Sequence, residues 1–503
     1  MNFFSNIRVG WRASVGLTGE VLIYLAGPLA FPLVLALYYG ESALPFVAAI
    51  VVSVSLGGYF RYLSDPDENL GPREAFLAVA MIWLLVAAVG AIPFVVAGVG
   101  TIAHPINALF ESMSGLTTTG ATVLQDFSLH SQSILMWRQL IQWLGGLGIL
   151  ILATAVLSEL GVGGAQLMES ETQTKDVNKL TPKISETARL IWGLYVGITV
   201  TAIAVFYSIG VSGLDPNMTL FNAVAHAFTS VATAGFSPEP ESIGAFAPIV
   251  QWAVIPFMIV GSTSFILLYF FIDGQPERLL KNQEFHFYLG TLAFFSSLVA
   301  LLLFFDTEIA YGTEETIRHA LFNVTSLVTT TGYASIDFDL WSNGAKYLLF
   351  LCMFTGGMVG STTCSIKSLR WLVALKSFRR ILFTSIHPEA IKPVRISGKP
   401  VDEDTIRDIY SYLLLSIVIF GLLTIFIVVN GERAGSEIPA FDAMGAAAST
   451  FLNIGPAFGA AGPYGTYDVF PMSTKAVMIV LMWIGRIEII PVLVLFTKAF
   501  WKS

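Results

Sequence analysis

One pattern in this 503-residue chain restricts its folding more than any other, because it occurs four times. Aligned on a glycine, the copies are NALFESMSGLTTTG (Asn107 to Gly120), NAVAHAFTSVATAG (Asn222 to Gly235), HALFNVTSLVTTTG (His319 to Gly332) and DAMGAAASTFLNIG (Asp442 to Gly455). Twelve residues before the glycine stands an alanine (Ala108, Ala223, Ala320, Ala443), and six before it a hydroxyl (Ser114, Thr229, Ser326, Ser449). Two before it come Thr118, Thr233, Thr330 and Asn453. Recurrence at near-fixed spacing marks a repeated supersecondary unit. The fold has to use one device four times.

The flanking sequence says where that device sits. Hydrophobic residues make up 55% of the chain and charged residues only 12%, which excludes an ordinary soluble enzyme and indicates an integral membrane protein. Each window is about a dozen residues long, too short for a hydrocarbon core that needs about twenty. The predicted fold class is an all-α polytopic membrane protein with ten crossings. Two amino-terminal spans lie at about 19–39 and 43–60, and the first reads as a span because it lacks a cleavage pattern. Four repeats follow, with spans near 75–99 and 132–160, 189–210 and 246–272, 285–305 and 344–376, and 408–430 and 472–498. The corresponding units are 1–73, 74–174, 175–278, 279–376 with an interrupted helix, and 377–503, which adds a linker to the fourth repeat.

Non-helical backbone at membrane depth is tolerated only where protein or a water-filled cavity covers it. Four helix–pore-loop–helix repeats around a pseudo-fourfold pore satisfy that condition. They aim backbone carbonyls at a common axis, where such oxygens replace a cation's hydration shell. The expected ligating segments are Thr118, Thr119 and Gly120; Thr233, Ala234 and Gly235; Thr330, Thr331 and Gly332; and Asn453, Ile454 and Gly455. Hydroxyls of Thr118, Thr233 and Thr330 either add to these oxygens or cap the pore helices. The competing reading is close helix packing through small residues. Four windows of matching length favour the filter.

Lysine and arginine concentrate in cytoplasmic loops. That rule puts both termini inside, together with Arg8, Arg12, Arg61, Arg73, Lys175, Lys179, Lys183, Arg189, Arg278, Lys281, the basic run from Lys367 to Arg407, Lys498 and Lys502. The opposite loops carry Glu111, Asp126, Asp215, Glu239, Glu241, Asp337, Asp339, Glu432, Glu437, Asp442 and Asp468. The windows are therefore expected to re-enter from outside, under an acidic mouth that concentrates cations.

Two further features bear on gating. Arg486 lies in the apolar stretch MIVLMWIGRIEIIPVLVLF, where a central arginine costs about 2.5–3.5 kcal/mol on insertion scales and faces the bundle interior or a cavity. It is read as an electrostatic barrier below the filter, against the alternative of a structural salt bridge to another span. Glu488, two positions on, does not share its helix face. Within LCMFTGGMVGSTTCSIKSLRW, Gly356, Gly357 and Gly360 followed by Ser361, Thr362 and Thr363 interrupt an apolar helix, as in ion paths. This stretch is read as a gating loop. It lacks the GK[ST] ending of a phosphate loop. The histidines show no ligand spacing, HExxH, GxSxG and CxxC do not occur, and Cys352 and Cys364 imply no disulfide framework. No enzyme activity and no nucleic-acid partner are expected.

Taken together, the four span–pore-loop–span repeats, the two extra amino-terminal spans, the degenerate last filter LNIGPAFG, the interrupted helix from GGMVGST to SIK and the arginine of WIGRIE resemble the Trk/Ktr/HKT superfamily of potassium transporters, specifically its TrkH-type membrane subunits. The resemblance covers nearly the whole chain. It implies that Gly120, Gly235, Gly332 and Gly455 are filter glycines, that potassium is the transported substrate with no covalently bound cofactor, and that the protein is a homodimer in the cell membrane. It further implies a cytoplasmic nucleotide-binding regulatory subunit (TrkA-like), for which Lys376 to Arg407 is a docking surface; anionic lipid of the bilayer can use the same charges. Family members commonly have more glycine than Thr362-Thr363-Cys364-Ser365 provides. The leading function is channel-like potassium uptake. The alternatives are a sodium- or proton-coupled symporter with alternating access, and a receptor or scaffold in which the turns only pack.

Overall fold

The computed structural model describes residues 9–64, 71–155, 184–306, 309 and 311–502. Arg8, Lys175, Lys179, Lys183 and the expected boundary at 174/175 lie outside the described residues. Two long helices open the chain, α1 (Trp11–Tyr39) and α2 (Leu44–Leu63). They pack tightly because glycines face each other at the crossing. A Cβ on Gly19 would stand 2.7 Å from the Gly57 carbonyl, and one on Gly57 would stand 2.6 Å from that of Gly19. Small residues that admit such approach are how helices associate where lipid removes the hydrophobic driving force.

The rest repeats one theme. The first repeat is α3 (Pro72–Ala97), the short α4 (Pro105–Leu116) and α5 (Gln132–Ala155); the second is α6 (Ile184–Val211), α7 (Leu220–Val231) and the pair α8 (Pro248–Gly261) and α9 (Phe265–Ile272). The third comprises α10 (Gln283–Phe304), α11 (Thr313–Val328), α12 (Asn343–Cys352) and α13 (Ser368–Ile386). The fourth comprises α14 (Glu403–Arg433), α15 (Ala440–Leu452), α16 (Met472–Ile487) and α17 (Ile489–Leu495). A two-residue antiparallel ladder, Arg395–Ile396 against Lys399–Pro400, lies between α13 and α14. The short helices α4, α7, α11 and α15 form the centre and are buried over most of their length despite their hydroxyls.

The structure corrects the continuous second spans expected at 246–272 and 472–498. Six described helices are long and apolar enough to cross a membrane, and two bent pairs raise the number to eight. α8 and α9 meet at 102°, α16 and α17 at 114°. The third repeat has no helix between Cys352 and Ser368. At the second-repeat break the freed backbone polar groups pair with the interrupted loop of the third repeat. The N–H groups of Met358 and Thr362 donate to the carbonyls of Ser262 (2.9 Å) and Gly261 (3.2 Å), and Phe265 N–H donates to Gly360 O (3.0 Å). At the other break Glu488 takes φ 75° and pairs with Arg370 at 2.6 Å.

Candidate functional site: a fourfold ring and the loop beneath it

Each short helix ends in the same way. Backbone N–H groups one residue before the glycine donate to the carbonyl of the hydroxyl residue five positions earlier: Thr119 to Ser114 (2.8 Å), Ala234 to Thr229 (2.9 Å), Thr331 to Ser326 (2.8 Å) and Ile454 to Ser449 (3.0 Å). Thr118, Thr233, Thr330 and Asn453 then adopt φ between 49° and 55°, and the glycines φ of 81°, 82°, 80° and 112°. The residue between each pair is not left-handed. Only glycine takes the second of these positions without strain. Hydroxyls of Ser114, Ser326 and Ser449 donate at 2.6 Å to the carbonyls of Ala121, Tyr333 and Gly455, fixing the chain as it leaves the turn.

The four turns form a closed ring. A Cβ on Gly120 would stand 2.4 Å from Ala234 O, one on Gly235 2.0 Å from Thr331 O, one on Gly332 2.1 Å from Ile454 O, and one on Gly455 2.8 Å from Thr119 O. Each glycine thus touches the carbonyl of the next repeat, in cyclic order, and the fourth returns to the first. One cavity of about 50 Å³ is lined by all four glycines together with Arg138, Phe236, Glu239 and Tyr467. By that measure a water needs about 10–15 Å³, so the space suits a few water-sized particles.

Below the ring lies the loop 353–367, bound to three of the repeats. Thr233 and Thr362 share a hydroxyl hydrogen bond (2.9 Å), Cys364 N–H donates to Thr330 Oγ1 (3.0 Å), and Ser365 N–H donates to Leu452 O (3.1 Å). The hydroxyls of Thr233 and Thr330 therefore hold the loop instead of capping their helices. Gly356 and Gly357 permit its tight course, since a Cβ on either would meet Cys364 O at 2.5 Å or Ser262 O at 2.6 Å. Gly360 adopts φ 77°. Ser361 and Thr363 bond each other at 2.7 Å, and Lys367 Nζ donates to the carbonyl of Thr363.

Arg486 is buried and makes no ion pair among the described residues. Its Nη1 donates to Thr362 O (2.9 Å) and contacts Cys364 Sγ (2.8 Å), while Nη2 donates to Gly145 O (3.0 Å) on α5. It joins the loop to the first and fourth repeats. The ion pair at this level belongs to its neighbour, because the helix stops at Ile487 and Glu488 turns toward Arg370.

Sequence reasoning put Glu111 at an acidic mouth, and the structure corrects this. Glu111 is fully buried and accepts from Arg138 Nε at 2.8 Å. Asp215 is buried as well, accepting from the N–H groups of Asn217 (2.9 Å) and Ala247 (2.6 Å). Arg138 was not singled out from sequence. Its signal is a cation in the apolar run SILMWRQLIQW, and its partner lies 27 residues earlier on a separate helix.

A family model described as TrkH, cation transport protein, matches residues 43–503. The chain belongs to the TrkH family. It is 33% identical over 501 residues to the Trk system potassium uptake protein TrkH of Halomonas elongata, covering 98% of this chain and 99% of that one. It is 31% identical to the protein of the same name from Escherichia coli K12, covering 98% and 100%. The crystal structure of the potassium transporter TrkH from Vibrio parahaemolyticus superposes with a TM-score of 0.87 at 28% identity, over 98% of this chain and 100% of that one. As a TrkH-family member it is a multi-pass membrane protein of the cation-transport class, with a fold shared along its whole length.

Proposed function

We propose that the chain is the membrane subunit of a potassium uptake system and passes the ion through the ring of carbonyls. The observation that carries this reading is the closed cyclic contact of Gly120, Gly235, Gly332 and Gly455 with the carbonyls of Ala234, Thr331, Ile454 and Thr119. Backbone of alternating handedness in four copies presents oxygens toward one axis, and such oxygens substitute for water around a potassium ion. The loop at Gly356 to Thr363 and Arg486 close the path from below, the guanidinium adding an electrostatic barrier. A homodimer and a nucleotide-binding regulatory subunit docking on the basic side complete the assembly, in keeping with relatives named as parts of a Trk system. The termini and the basic segment from Lys376 to Arg407 then face the cytoplasm.

Potassium and sodium flux into liposomes, with and without an imposed membrane potential, tests the proposal. Passive, potential-driven flux that prefers potassium supports it. Uptake that requires a sodium or proton gradient points to the symporter, and no flux at all removes transport.

A further inference from the structure

Nine residues before the glycine the four repeats carry Glu111, His226, Asn323 and Ala446. All four are fully buried on the central helices. Three of them reach forward to the backbone or hydroxyl two or three residues past their own glycine. Glu111 accepts from the hydroxyl of Thr122 (2.9 Å) and the N–H of Val123 (2.9 Å). His226 Nδ1 donates to Asn222 O (2.8 Å), which leaves Nε2 to accept from the hydroxyl of Ser237 (3.0 Å). Asn323 Oδ1 accepts from Ser335 N–H (3.3 Å), and its Nδ2 donates to Ser335 Oγ (3.1 Å) and His319 O (2.9 Å). A carboxylate, an imidazole and an amide at one repeated position make the same connection.

The fourth repeat lacks it, since Ala446 has no polar group. There Tyr467 supplies the contact from the other side, donating its hydroxyl to Gly455 O (2.9 Å) and its N–H to Thr122 O (2.8 Å). The charged version is also braced. Arg138 pairs with Glu111 at 2.8 Å and donates from Nη1 to Ser237 O (3.1 Å), so one guanidinium spans the first and second repeats.

We propose that Glu111, His226 and Asn323 are positioning residues that clamp the outer rim of the ring, with Tyr467 standing in for the fourth; this rests on the reading of the ring as an ion filter. The segment past each glycine determines where the last carbonyls point. Hydrogen bonds from a buried helix hold it still, and breaking one leaves an unpaired polar group in a dry site. The clamps touch no ion. They set the width of the ring and hence its preference among cations of different radius.

The test measures potassium, rubidium and sodium flux in liposomes for Ser237→Ala, Ser335→Ala and the isosteric Asn323→Leu, with Gly332→Ser alongside and size-exclusion chromatography to verify folding. Loss of one clamp bond is expected to lower the potassium-to-sodium flux ratio by about three- to tenfold while transport persists. A purely structural role would reduce yield and thermal stability without moving that ratio. If Asn323→Leu fails to fold, the two serine truncations decide. Should Gly332→Ser shift the ratio while every folded clamp variant keeps the parental value, the clamp is wrong and the filter stands. If Gly332→Ser leaves the ratio unchanged as well, the filter falls and the clamp with it.

Discussion

Gly332 lies so close to the carbonyl of Ile454 that a Cβ would stand 2.1 Å from its oxygen, and its φ of 80° is one that side chains resist. Neither backbone can yield without moving the other repeat. Gly332→Ser is therefore expected to widen the ring on one side and lower the potassium-to-sodium flux ratio by about tenfold. Reconstituted vesicles give the measurement, and an unchanged ratio would count against the carbonyl ring as the selective element.

Arg486 joins Thr362 of the loop to Gly145 of α5 through two carbonyls. Hydrogen bonds from a charged donor contribute about 1.5–3 kcal/mol each, so their removal frees the loop. Arg486→Ala should raise flux measured without any regulatory subunit by about fivefold or more. A lower melting temperature with unaltered flux would mean that the guanidinium only holds the bundle together.

The Glu111–Arg138 pair is buried on both sides, with side-chain exposures of 0% and 1%. Removing one member leaves an uncompensated charge, at a cost of about 3–5 kcal/mol, whereas apolar replacement of both is much milder. Glu111→Leu should therefore lower the melting temperature in detergent more than Glu111→Leu combined with Arg138→Met. The opposite order would show that the two charges do not depend on each other.

Asp339, in the loop after the third turn, is raised to about 6 by burial, with Asp337 and Asp442 pushing the same way against the Gly459 N–H and Lys346. A raised carboxyl binds its proton more tightly in the folded state. Its stabilising contribution is thus full below the ordinary value of 3.8 and is lost as pH rises through about 6. Asp339→Asn should raise the melting temperature at pH 7 and flatten its decline between about pH 4 and 6. Identical pH profiles for the two proteins would refute this.

Local sequence carried the repeats, because a turn needing glycine at one place and a hydroxyl six residues earlier writes itself into the chain each time it is used. The spacing put Thr118 to Gly120 and its three counterparts in equivalent turns, and the interruption at Gly356 was legible from glycine and hydroxyl content. Less was visible where the partner is remote. Glu111 read as a mouth carboxylate because Arg138, 27 residues on, could be matched to it only by folding. The breaks after Gly261 and at Glu488 looked like continuous apolar helix, since their stabilising partners, Met358, Thr362 and Arg370, arrive from another repeat.

Sequence alone therefore determined the unit, its fourfold use, its apolar surroundings and the glycines at its turns, all of which depend on contacts within about fourteen residues. Tertiary structure decided which carbonyl each glycine faces, that the cycle closes from Gly455 back to Thr119, and which buried charges pair. Those outcomes depend on how four separate hairpins meet, and a linear pattern specifies the pieces of such a ring without specifying its closure.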